Sequence, residues 1–225
     1  MSSGVFWQQP RRKLTIFPQE IHIWKVKLTS WNDWSVQVLS KEELNKAYRF
    51  IQAVHQRRFA LARGHLRVIL GKYTGVSPTE IRFQEGAHGK LFLADNPLML
   101  QFNLSHSEDI AVYAFTLQQE VGIDIEWINS SLEIVPLIKR FFAAEEQQAI
   151  LNLPIKLQHQ AFFNYWTRKE AYLKALGVGL SGLSDLTAKQ IKTKTKNFQL
   201  EASFASAVAS TEQIADYNFF FFNHF

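Results

Sequence analysis

The chain contains no cysteine among its 225 residues. Disulfides, thiolate-ligated metals and a cysteine nucleophile are therefore excluded, and the composition fits a reducing cytoplasm. It also lacks any apolar run approaching the roughly 18–20 residues that a membrane-spanning helix needs. The block of four phenylalanines at 219–222 is far too short. Arg11, Arg12 and Lys13 make a basic start, but no apolar segment follows them, so neither a secretory signal nor membrane attachment is expected. Zinc-finger, helix-turn-helix and RNP-type patterns are missing, and the cations are dispersed, so nucleic acid is not an expected partner.

What is present is a 26.0 kDa chain, 47% hydrophobic and 20% charged, the balance of a folded globular protein rather than a disordered one. A net charge of +5 and an isoelectric point near 9.4 ask for an anionic partner, such as a phosphorylated ligand or an acidic protein. The length suffices for one large core or two half-sized ones.

Taken in order, residues 1–18 read as an irregular leader broken by Pro10 and Pro18. Residues 20–28 alternate as a strand with His22, Trp24, Val26 and Leu28 on one side, where His22 fits a packed histidine better than a ligand. Ser40 and Glu43 form a capping box that starts a helix carrying Lys46. A longer helix over 55–72 places Phe59, Ala62, Leu66, Ile69 and Tyr73 at helical spacing, with Arg57, Arg58, Arg63 and Arg67 along it. A hairpin follows over 81–93 with Gly86 and Gly89 in its turn. Strands are expected over 100–105, 109–117 and 121–128, and helices over 131–142 and 143–151. Beyond residue 180 the pattern is polar and lysine-rich, with weak strand signals at 198–204 and 218–222. Each half holds a long helix that ends near a glycine and a set of short strands, which suits two α+β halves meeting near residue 120.

Two stretches carry chemistry. In residues 121–128, VGIDIEWI, alternation puts Val121, Ile123, Ile125 and Trp127 on one face, and Gly122, Asp124 and Glu126 on the other. Two carboxylates side by side on so apolar a strand repel and resist burial. Either the face is exposed, or a hard divalent cation such as magnesium compensates, using one or two carboxylates and substrate phosphate oxygens. In residues 162–180, FFNYWTRKEAYLKALGVGL, the spacing predicts a helix with Phe162, Trp166, Tyr172, Leu173 and Leu176 on an apolar stripe and Gly177 at its end. Glu170 and Lys174 stand at i and i+4 as an ion pair prefers, beside Arg168 and Lys169. Alone, that set is equally a solvated charged face.

Three ordered blocks resemble those of the 4′-phosphopantetheinyl transferases, in particular the longer single-chain class that includes cyanobacterial heterocyst-type members. They are Asn103-Leu104-Ser105-His106-Ser107, Gly122-Ile123-Asp124-Ile125-Glu126, and the run from Trp166 through Lys169-Glu170-Ala171 to Lys174. The second and third match the family's G-x-D-x-E and W-x-x-K-E-A-x-x-K signatures, and the similarity extends over about residues 40–185.

The resemblance implies an α+β fold of two similar halves related by a pseudo-twofold axis, residues 1–120 and 121–225, with the active site in the cleft between them. The first half would serve coenzyme A and the carrier protein, and the second would hold the magnesium and catalytic residues. It implies transfer of the phosphopantetheine arm of coenzyme A to a serine of an apo acyl or peptidyl carrier protein, leaving adenosine 3′,5′-bisphosphate. Asp124, Glu126 and Glu170 would hold magnesium, or manganese in its place. Glu170 would take the serine proton directly or through a water, and Lys174 would stabilise the pyrophosphate bridge. His106 with Ser105 would hold the 3′-phosphate, and Arg58, Lys90, Lys169 and, from a variable loop, Lys46 would supply further cations to coenzyme A. Whether Arg57 or Arg58 faces the cleft stays open at this level. A cytoplasmic monomer is expected. The alternative is a module of the same shape that binds coenzyme A or a carrier protein without turnover; the acid–base pair at Glu170 and Lys174 argues for the enzyme.

Overall fold

The alternating apolar runs become two sheets, and the two long helical runs pack against them. The computed structural model describes residues 7–10, 14–29, 33–179, 181–182, 186, 188–212 and 216–222. Arg11, Arg12, Lys13, Leu180 and residues 223–225 lie outside that set. The first part of the chain forms β1 (Trp7–Gln8), β2 (Glu20–Lys27), α1 (Asp33–Gln37), α2 (Lys41–Tyr48) and α3 (Ala53–Thr74). A hairpin of β3 (Phe83–Glu85) and β4 (Leu91–Leu93) leads into β5 (Leu100–Ser107), β6 (Ile110–Leu117) and β7 (Val121–Trp127). Then come α4 (Ile134–Phe141), α5 (Ala144–Leu151), α6 (Ile155–Leu176), α7 (Ala188–Lys194), β8 (Thr195–Asn197), β9 (Phe204–Ser210) and β10 (Asp216–Phe221). The fold class is α+β.

One sheet runs β1-β10-β2-β6-β5 and a second runs β7-β9-β8. Strands β2, β6 and β5 pair antiparallel, while β10 lies parallel between β1 and β2. The first sheet is buried on both faces. Trp24, Val26, Tyr113 and Phe115 pack with Leu61, Leu66, Ile69 and Leu70 of α3 in one core. On the other face, Ile21, Ile23, Val112 and Ala114 share a core with Val121, Ile123 and Ile125 of β7.

That double burial explains the phenylalanine block. In β10, Phe220 joins the α3 core while Tyr217 and Phe219 pack against the core shared with β7. A central strand covered on both sides takes a continuous apolar run, so no alternation is visible. The C-terminal strand therefore crosses back to a sheet otherwise built from residues before 120. The leader also differs from its expected irregularity: Trp7 and Gln8 pair with Phe219 and Phe220, and the Trp7 ring meets Phe219 edge-on. The strand expected over 198–204 instead begins at Phe204. Its Ala205, Ala207 and Ala209 are poor strand markers, but Ala207 and Ala209 let β9 lie close to Ala171 and Ala175 of α6.

Helix α6 ends at Gly177 as expected, whereas α3 runs through Gly71 to Thr74 and stops at Gly75 instead. Gly75 and Gly177 are left-handed caps at φ 75° and 70°, donating to Gly71 O and Leu173 O. Helix α6 starts earlier than the sequence suggests, at Ile155 after Pro154. The Ser40–Glu43 capping box forms as expected. His22 is a packed residue, its Nδ1 2.8 Å from the Tyr73 hydroxyl.

Candidate active site

Helix α6 lies on the polar face of β7, and Gly122 is what lets it approach. A Cβ there would sit 1.9 Å from Ala171 O and 2.4 Å from Ala175 N. The close approach carries Glu170 and Lys174 to the strand that bears Asp124 and Glu126. Asp124 is buried and Glu126 half-buried. Trp127, expected to continue the buried face, is 43% exposed where the strand runs out.

Strand β5 runs beside β7 in the same direction without a backbone ladder between them; side chains make the join. Asn103, Ser105 and Ser107 are two residues apart and so share one face of β5. Asn103 Oδ1 accepts from Ile123 N at 3.0 Å, and Ser107 Oγ accepts from Trp127 N at 2.9 Å. Ser105 Oγ donates to Asp124 Oδ1 at 2.9 Å. Asn103 and Ser107 were not singled out from the sequence, although their period of two within the N-L-S-H-S block was the available signal.

Lys174 completes this join. Its Nζ lies 2.6 Å from Asp124 Oδ1 and 2.9 Å from Ser105 Oγ. The lysine thus reaches across to β7 and β5 rather than along its own helix to Glu170, so the i, i+4 pairing does not describe it. Asp124 Oδ2 is buried and accepts no hydrogen bond. Burial first, then the Asp124 charge, pushes the Glu126 carboxyl up to about 7, with Glu170 adding and Lys174 and Ser107 opposing. Burial and then Asp124 likewise raise Glu170, against the pull of Lys174. Carboxylate charge at this place exceeds what one lysine neutralises. Asp124, Glu126 and Glu170 are the oxygen donors that would hold a hard cation. Among the described residues, no three histidine or carboxylate side chains already converge into a metal cage; the orphaned Asp124 Oδ2 and the raised carboxyls nevertheless fit the chemistry of a divalent ion.

A cavity of about 390 Å³ opens beside this cluster, walled by Phe59, Ala62 and Arg63 of α3, by His88–Leu91 of the hairpin, by Asn103–His106 of β5, and by Glu170, Leu173, Lys174 and Gly177. His106 sits in its wall with part of its ring open to solvent. Loss of hydration lowers its pKa, and Lys174, Arg58 and His55 lower it further, so the surroundings already carry positive potential.

The other cations are placed unevenly. Lys90 lines the cavity with its stem, while its ammonium donates to Ala175 O at 2.7 Å and meets Glu120 Oε2 at 2.5 Å, tying the hairpin to the seam. Arg58 is the more buried of the two adjacent arginines and pairs with Glu108 and Asp109; Arg57 shares Asp109. Lys169 is not brought to the cleft. It is buried 2.8 Å from Glu146 Oε2 and over the Phe142 ring, because a helix turns each successive side chain through about 100° and Glu170 takes the cavity side. Lys46 is half exposed, 3.8 Å from Glu85, and lines a different cavity. Arg168 bonds Thr195 and Ile191 O, also away from the cluster.

A cationic cleft with a carboxylate cluster at one end has the charge arrangement that suits a phosphorylated ligand. Comparison with known proteins gives the family. The 4′-phosphopantetheinyl transferase superfamily model matches residues 120–219, and a 4′-phosphopantetheinyl transferase N-terminal model matches residues 22–118. The 4′-phosphopantetheinyl transferase HetI of Nostoc sp. is 37% identical over 199 residues, covering 86% of this chain and 84% of its own. The transferase psf-1 of Bacillus pumilus is 34% identical over 174 residues, 77% of this chain and 73% of its own. Sfp of Bacillus subtilis is 32% identical over 151 residues, 67% and 65% respectively. The chain belongs to the 4′-phosphopantetheinyl transferase superfamily. It is accordingly a transferase. Among the described residues, no helix is long and apolar enough to cross a membrane.

Proposed function

We propose that this protein transfers the 4′-phosphopantetheine group of coenzyme A to a serine of apo acyl or peptidyl carrier proteins, releasing adenosine 3′,5′-bisphosphate, with magnesium required. The observation that carries this reading is the meeting of Ser105, Asp124 and Lys174, one from each of three separate sequence blocks, within 2.6–2.9 Å at the wall of one cavity. Residues of the N-terminal part wall one side and α6 with the turn after it the other, in line with two halves that divide near residue 120. A chain carrying both walls needs no second copy, so the working form is a monomer.

In this mechanism the chain's own residues position and neutralise. The serine oxygen of the carrier attacks the β-phosphorus of coenzyme A, a new O–P bond forms, and the bond to the bridging oxygen breaks. Glu170, its basicity raised by burial and Asp124, takes the serine proton directly or through a water. Lys174 donates to the oxygen that leaves with adenosine 3′,5′-bisphosphate. Ser105 holds the Lys174 ammonium and Asp124 together, and His106 offers a ring N–H to the 3′-phosphate in the positive potential that Lys174 and Arg58 set up around it. Magnesium held by Asp124, Glu126 and Glu170 would neutralise pyrophosphate charge. The basic balance of the chain suits coenzyme A and acidic carrier proteins.

The direct test is incubation with coenzyme A, magnesium and apo acyl carrier proteins, read by mass spectrometry for the phosphopantetheine adduct. Absence of adduct on every one of several carriers would sink the proposal. His106→Ala should mainly raise KM for coenzyme A, by about tenfold for a lost charge-assisted contact, with kcat less affected.

A further inference from the structure

Helix α3 carries two buried arginines one turn apart, and only one is fully bonded. Arg67 donates from Nε to Glu43 Oε2 at 2.7 Å and from Nη1 to Pro78 O and Ile81 O at 2.8 Å. It neutralises Glu43 and closes the 78–81 loop onto the helix. Arg63 is different. Its Nε stands 3.5 Å from Glu43 Oε1, an oxygen that accepts no hydrogen bond because Arg67 is bound to Oε2, and its Nη1 is buried without a hydrogen-bond partner. The Phe59 and Phe83 rings lie 5.5 Å from its guanidinium carbon. Aromatic faces hold a cation but leave its in-plane donors unsatisfied.

Arg63 also stands between two hollows. It walls the substrate cleft beside Phe59 and Ala62, and it walls the second cavity of about 390 Å³ that holds Lys46 and Glu85. A buried guanidinium that gains no complete set of bonds from the fold is costly, and the cleft is where the missing acceptor can enter. The pyrophosphate, with the group that is transferred, must lie by Glu170 and Lys174, so an anion reaching the α3 wall is the 3′-phosphate of the substrate.

We propose that Arg63 is a substrate-binding residue: its incompletely bonded guanidinium donates to the 3′-phosphate of coenzyme A at the α3 end of the cleft. This rests on the transferase reading above. It assigns to the chain a contact outside the three motif blocks.

The test compares wild type with Arg63→Met and Arg63→Lys by calorimetric titration of coenzyme A, dephospho-coenzyme A and adenosine 3′,5′-bisphosphate, alongside thermal melting. Methionine keeps the stem and removes the donors. Arg63→Met should weaken coenzyme A and the bisphosphate by about ten- to a hundredfold, as expected for a lost hydrogen bond between charged groups, and leave dephospho-coenzyme A nearly unchanged. Arg63→Lys should fall between. In turnover, KM for coenzyme A should rise while kcat changes little. Equal affinity of a folded Arg63→Met for all three ligands would overturn the proposal, as would an equal loss for coenzyme A and its dephospho form, which would move the contact to the pyrophosphate. If Arg63→Met does not fold, Glu43→Gln decides: it frees Arg63 from its loose partner, and the proposal requires bisphosphate binding to be kept or tightened. Weakened binding in Glu43→Gln at unchanged folding would overturn it. Should wild type bind neither coenzyme A nor the bisphosphate, the function itself falls rather than this assignment alone.

Discussion

Helices α3 and α6 are near twins in outline. Each is 22 residues long, each packs on a sheet, and each ends on a left-handed glycine. Their charges do opposite things. On α3, Arg67 is sealed among Glu43, Pro78 O and Ile81 O, partners that come from the neighbouring helix and the loop just beyond. On α6, Lys174 finds Asp124 and Ser105 on two different strands, and Glu170 faces a cavity with its carboxyl raised. A buried charge whose partners complete its bonding holds a fold together. A charge brought to an incompletely compensated cluster, beside space for a substrate, does chemistry.

Four changes would break or sharpen that contrast, from the largest effect down. Gly122→Ala should be the most damaging, because its Cβ would stand 1.9 Å from Ala171 O and both atoms belong to rigid elements. We expect a loss above about 4 kcal/mol of stability, with α6 displaced from β7 and activity gone, measured by denaturant unfolding. Glu170→Gln should cut transfer by about a hundred- to ten-thousandfold while the melting temperature holds and coenzyme A still binds. Retained activity would show that Glu170 is not the base. Arg67→Met should do the reverse, costing about 3 kcal/mol or more in unfolding by stranding buried Glu43, with activity of the folded fraction nearly intact.

The smallest effect is a pH dependence. The Glu126 carboxyl is raised to about 7 in the folded protein by burial and by Asp124. The folded state therefore holds a proton that the unfolded chain releases near pH 4.5, so this group favours folding at low pH and that contribution is lost as pH rises through about 7. Metal-free protein should melt lower at about pH 8 than at about pH 5.5 on this account, and Glu126→Gln should flatten the trend. Magnesium, by competing with the proton, should restore part of the stability at the higher pH. A trend identical in wild type and Glu126→Gln would remove Glu126 as its source.

Much of the fold was legible because it is local. The Ser40 capping box, the glycine stop of α6 and the strands over 20–28 and 100–117 follow from spacing alone. Two regions misled for two different reasons: in one both faces were covered, and in the other the covering partner needed small residues. β10 shows no alternation because Phe219 and Phe220 enter different cores, and β9 is rich in alanine because α6 lies on it. The site was half legible. Asp124, Glu126, Glu170, Lys174, Ser105 and His106 were named from motifs and are gathered at the β5–β7–α6 seam, whereas Lys46 and Lys169 point elsewhere and Arg63 and the Asn103–Ser107 join went unread.

The amino-acid order by itself determined the family, the extent of most elements and the motif blocks that bear the candidate residues, since these depend on neighbours within a few positions. Only the tertiary structure decided which charge meets which. Lys174 pairs with Asp124 because Gly122 admits the helix. Lys169 is lost to Glu146 because one residue along a helix is another direction in space.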